Sequence, residues 1–161
     1  MSVVIGFDLG KAFGWSVIQT NGTVQEYGTS YPEKGESSNE IGVALNRFYK
    51  EVRRLLAANE PDLVVIAWEY VQFNRGRGGK YNDEMRGVLR LLCERRGIPY
   101  LEVGVPALKR FATGKGNAKK DEMRAAAGSR MMNPPEDENA VDALWVGWWA
   151  LDTIKNEGLL Q

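Results

Sequence analysis

Runs and alternations of apolar residues divide this chain into elements. Val3 to Leu9 is an apolar run rich in branched residues, and Gly14 to Thr20 follows a short glycine-containing turn, so both read as strands. Asn21-Gly22 marks a hairpin, with Thr23 to Thr29 as the returning strand. From Ser38 to Ala58, the apolar residues Ile41, Leu45, Phe48, Val52, Leu55 and Leu56 recur at helical spacing, with Pro61 just beyond. Leu63 to Trp68 is short and continuously apolar, as suits a central strand covered on both faces. Met85, Val88, Leu89 and Leu92 predict a second helix, ended by Gly97, before a strand over Tyr100 to Val103. Pro106 opens a short helix reaching about Phe111, and Lys120 to Ala127 forms another. After Pro134-Pro135 the last helix runs from near Glu136 to about Lys155. Three hairpin strands followed by alternating helices and strands predict an α/β fold. Its five-stranded mixed sheet has three antiparallel strands, then parallel ones, with helices flanking it.

Composition narrows the class. With 161 residues, 43% of them hydrophobic, the chain is long enough for one core and short for two typical domains, so one domain over 1–161 is expected. The apolar stretches Leu63 to Trp68 and Ala140 to Leu151 fall well below the roughly 20 residues of a membrane crossing. The N-terminus lacks a basic region, a hydrophobic segment and a cleavage site, and Cys93 is the one cysteine, so a reducing cytoplasm fits. A net charge of +0 gives no global attraction to nucleic acid, but the charges are segregated. Arg75, Arg77 and Lys80 share a Gly-rich stretch; Lys109, Arg110, Lys115, Lys119, Lys120 and Arg124 share another; acids gather between Glu136 and Asp142. Such segregation permits a local basic surface beside an acidic pocket, with ordinary solvated charged faces as the alternative.

Three acids carry the candidate chemistry. Asp8 sits in the first strand, where an unpaired carboxylate is costly to bury, and Glu69 stands at the end of the fourth. If those strands are neighbours, both carboxylates emerge at one end of the sheet. Asp142 lies on the last helix among Ala140, Ala143 and Leu144. The set suits a hard cation such as magnesium, which prefers oxygen ligands. Each acid alone also has a bland explanation: a turn, a solvated strand end, or a charge near a helix N-terminus.

The order of elements and five short motifs resemble the RuvC-type resolvases of the ribonuclease H-like superfamily. Gly6-Phe7-Asp8-Leu9-Gly10 through Gly14-Trp15-Ser16 is similar to that family's first-strand motif. Glu69-Tyr70-Val71 resembles its second acidic site, and Met85-Arg86-Gly87 the helix after it. Lys109, Gly114-Lys115-Gly116-Asn117-Ala118-Lys119 and Lys120 match the pattern Lys, G-x-G-x-A, Lys, and Asn139 to Leu144 resembles the closing acidic helix. The resemblance implies a metal-dependent endonuclease cutting four-way (Holliday) DNA junctions in recombination or repair. Two Mg2+ ions about 4 Å apart, with Mn2+ able to substitute, would activate water and the scissile phosphate. Asp8 would bridge the ions, Glu69 and Asp142 would hold one each, and Lys109 and Lys120 would stabilise charge on the phosphate. The family usually has Asp or His three residues before the last acid, where this chain has Asn139. Asn139 or Glu138 would therefore complete the shell, and Asp137 serves either there or as a helix cap.

Arg75, Arg77 and Lys80, as a mobile glycine-rich loop, and Lys115 and Lys119 are expected on the DNA backbone. By resemblance an aromatic just before that loop, Phe73 in preference to Tyr70, would stack on an unpaired base at the junction. The second helix is apolar over more than one stripe, which suits a homodimer whose two sites match the junction's two-fold symmetry. Trp145, Trp148 and Trp149 read as core or interface residues. Alternatives from other classes stay open: a nuclease preferring flaps, forks or RNA-containing duplexes, and a non-catalytic DNA-binding protein. Asp8-Leu9-Gly10 with Gly14 also resembles the phosphate hairpin of actin-like ATPases, but those use two such domains, so no nucleotide cofactor is expected.

Overall fold

The computed structural model describes residues 1–36, 41–71 and 77–160, giving only the backbone of 77 and 78. Strands β1 (Val3–Asp8), β2 (Phe13–Gln19), β3 (Val24–Ser30), β4 (Leu63–Tyr70) and β5 (Tyr100–Gly104) form one sheet in the order β3-β2-β1-β4-β5. β1, β2 and β3 pair antiparallel, while β4 and β5 run parallel to β1. The expected mixed sheet is borne out. At the β2–β3 turn Gly22 takes φ 94°, and Asn21 Oδ1 accepts from the Thr23 amide.

Helices cover both faces. Side chains alternate along each strand, so Ile5, Phe7, Val17, Ile66 and Trp68 face one way and pack with Phe48 and Leu55 of α1 (Ile41–Asn59) and Met85 and Leu89 of α2 (Arg77–Arg96). Val4, Ile18, Val65 and Ala67 face α5 (Glu138–Asn156), with α3 (Val105–Thr113) and α4 (Lys120–Ala127) beside it. Trp145 and Trp148 are buried there and Trp149 partly so, as their apolar neighbours suggested.

Helix α5 lies almost on the backbone of β1 and β2. A Cβ on Gly6 would stand 2.5 Å from the Gly147 nitrogen, and one on Gly14 would stand 2.2 Å from the Asn139 carbonyl oxygen. The Ser16 hydroxyl donates to the Ala143 carbonyl at 2.7 Å in the same seam. These contacts fix the height of α5 above the sheet, and with it the position of every side chain on its inner face.

Two boundaries differ from expectation. β4 continues through Glu69 to Tyr70 because β5 keeps pairing with it, Glu69 with Val103 and Tyr70 with Gly104. The loop expected over Arg75 to Lys80 ends sooner, since α2 begins at Arg77 and takes in Lys80 despite two glycines. Buried Gly79, Tyr81 and Asn82 anchor that first turn, so packing overrides propensity there.

Candidate functional site

Because side chains on a strand alternate, Asp8 shares the face of Val4 and Gly6, and Glu69 that of Val65 and Ala67. Both acids therefore look towards α5. β1 and β4 are in parallel register up to Phe7 opposite Trp68, so Asp8 and Glu69 follow side by side. Asp142, one turn inside α5, comes down onto them.

Buried on adjacent elements, the three acids act on one another electrostatically. Burial, then the charges of Asp142, Glu69, Glu138 and Asp137, hold the Asp8 carboxyl well above the usual carboxylate range. Burial and Asp142 push Glu69 up to about 8, against the pull of Lys109. Burial and Glu138 push Asp142 up to about 6, opposed by Lys109 and Lys120. Among the described residues no basic side chain forms an ion pair with any of the three. Three mutually repelling carboxylates on adjacent elements keep protons that isolated ones would lose.

This donor set fits a hard divalent cation, being all oxygen, held on rigid elements and short of positive charge. As placed, the acids do not make a closed cage: among the described residues no three or more His, Cys, Asp or Glu side chains stand as a ready cluster for an ion.

The remaining candidates divide. Lys109, on α3, reaches the field of Glu69 and Asp142, and Lys120, the first residue of α4, that of Asp142 and Asp8. Lys120 Nζ also bonds Glu138 Oε1 at 2.7 Å, so this acid is already partnered. Asn139 is half-buried, its carbonyl against Gly14. Asp137 is the α5 N-cap, accepting from the Asn139 and Ala140 amides at 2.9 and 3.1 Å. Its carboxyl also takes the hydroxyls of Thr29 and Tyr31, and these bonds outweigh burial and lower its pKa.

Lys115 pairs with Glu122 at 3.3 Å, while Lys80 and Lys119 are exposed. Tyr70 sits under the Arg86 guanidinium, 5.3 Å from its ring centroid. Phe73 and Arg75 lie outside the described residues, as does the side chain of Arg77. Thr29 and Tyr31 at Asp137, and Asn82, which donates to the Glu69 carbonyl at 3.3 Å, join this region with no role expected from the sequence. No local signal marks them, because their partners are distant in the chain.

No protein-family model matches the chain. It is 31% identical over 155 residues to the crossover junction endodeoxyribonuclease RuvC of Synechococcus sp. (strain WH7803), covering 91% of this chain and 97% of that protein. Against the RuvC of Azorhizobium caulinodans it is 31% identical over 148 residues, covering 89% and 85%. Among solved structures, Thermus thermophilus RuvC superposes with a TM-score of 0.73 at 20% identity, over 97% of this chain and 96% of that one. The same protein in complex with Holliday junction substrate gives 0.75 at 20% identity, over 95% and 97%. At that identity the superpositions establish the shared fold.

Proposed function

This chain belongs to the RuvC family of crossover junction endodeoxyribonucleases, and on that premise we propose that it resolves four-way DNA junctions with divalent ions held by Asp8, Glu69 and Asp142. The observation that carries this reading is the placement of Asp8, Glu69 and Asp142 on β1, β4 and the facing turn of α5, where burial and mutual repulsion raise their pKa values. Bound there, two Mg2+ ions, or Mn2+ in their place, would supply charge to polarise the scissile phosphate and activate water. Asp8 on the central strand β1, Glu69 on β4 and Asp142 on α5 would hold them. Asn139 is the better fourth oxygen, because Glu138 would have to leave Lys120 to serve.

Lys109 and Lys120 face the acids from α3 and α4, where an ammonium group offsets charge growing on the phosphate. Lys80, Lys115 and Lys119, with Arg75 and Arg77, follow the DNA backbone, and Phe73 stacks at the junction centre. The second copy needed for paired cuts docks on α2. Leu91 is 58% exposed there, beside a groove that Val88 and Leu92 share with Leu45 and Tyr49 of α1. The setting proposed is the cytoplasm; among the described residues no helix is long and apolar enough to cross a membrane.

The test is cleavage of a synthetic four-way junction with Mg2+, comparing the native chain with Asp8→Asn and Glu69→Gln. Both variants should bind the junction and fail to cut it. Native cutting rates in both would remove these acids from the site. Flap, fork, RNA-containing and linear duplexes digested in parallel define the substrate range.

A further inference from the structure

We propose that Tyr31, supported by Thr29, is a positioning residue for the α5 arm of the metal site. The inference rests on the metal-site reading above. Where α5 starts decides where Asn139 and Asp142 stand, and the start is tied from two sides. Gly14 gives it a backbone surface to rest on, with no space for a Cβ. Asp137 then holds it laterally. Its Oδ1 takes the Asn139 and Ala140 amides at 2.9 and 3.1 Å and the Thr29 hydroxyl at 2.8 Å, and its Oδ2 takes the Tyr31 hydroxyl. An N-cap needs only the amides. The two hydroxyls come from the end of β3 and the residue after it, more than 100 positions away, so they lock the helix start to the sheet edge.

Asn139 lies in the first turn of α5 and Asp142 in the second, so any shift of the helix start that Asp137 holds moves both together. Tyr31 is itself 57% exposed, so removing its hydroxyl opens no core.

The experiment titrates Mn2+ into native protein, Tyr31→Phe, Thr29→Val and Thr29→Ser, recording free Mn2+ by electron paramagnetic resonance and the melting midpoint alongside. Tyr31→Phe should bind Mn2+ about 10-fold more weakly while the midpoint falls by no more than a few degrees. The Mg2+ concentration for half-maximal junction cutting should rise in proportion, more than the rate at saturating metal falls. Thr29→Val should weaken binding less, and Thr29→Ser should restore it. Equal affinity in native and Tyr31→Phe protein overturns the positioning role and leaves the metal site standing. No Mn2+ binding by native protein overturns both.

Discussion

Trp68 and Glu69 are neighbours on β4 and face opposite sides of the sheet, which treat polar groups in opposite ways. On the α1–α2 side the Trp68 indole donates to Glu102 at 2.8 Å and stacks on Tyr100 with centroids 5.2 Å apart. Glu102 in turn takes Arg90 at 2.6 Å, so the carboxylate there is matched by a guanidinium. On the α5 side Asp8, Glu69 and Asp142 meet one another instead, and their pKa values rise. Helix α5 shows the same contrast within two turns. Asp137, which serves structure, has four donors and a lowered pKa; Asp142 has a raised one. The capping acid is satisfied by its donors, whereas the three acids of the proposed site are left without a positive partner, as functional carboxylates often are.

The sharpest break of this contrast is on the packed side. Phe48→Ala removes a fully buried ring that meets Phe7 and Phe13 edge-on, and unfolding in denaturant should show a loss of about 3–5 kcal/mol. Gly14→Ala attacks the seam and should cost about 1–3 kcal/mol while weakening divalent-ion binding, because α5 must lift off β2. On the deficit side the sign reverses. Glu69→Gln should stabilise the metal-free protein at pH 8 by an amount on the order of 1–3 kcal/mol.

That sign follows from linkage. Raised native values of about 8 for Glu69 and about 6 for Asp142, against ordinary values of 4.5 and 3.8, mean that the folded chain binds more protons than the unfolded one within those windows. The contribution of these groups to metal-free stability therefore falls as pH rises from about 4 to about 8. Melting curves across that range should show the decline, and Glu69→Gln should flatten its upper part. The smallest effect is expected from the exposed rim. Neutralising Lys115 and Lys119 should reduce the salt dependence of junction affinity by about one counterion per lost phosphate contact.

Much of this was legible in the chain. Period-two and continuously apolar runs located all five strands; Asp8 and Glu69 stood out as carboxylates within or closing such runs, and Asp142 as one on the last helix beside Ala140, Ala143 and Leu144. The start of α2 was hidden, since Arg77, Gly78 and Gly79 read as a loop until Tyr81 and Asn82 are seen to be buried. The partners of Asp137 were hidden for a different reason: Thr29 and Tyr31 reach it only after the sheet and α5 have assembled. Periodicity reports which side of an element is buried, not which distant hydroxyl meets it.

The central claim is that an ion replaces the protons these acids retain, and proton release on Mg2+ binding tests it most directly. Calorimetric titration at pH 7.5, in buffers of different ionisation enthalpy, counts the protons displaced. A substantial fraction of a proton should leave per site in the native chain, much less in Glu69→Gln, and less towards pH 9. Mg2+ binding with no proton release, or no Mg2+ binding at all, would contradict the account.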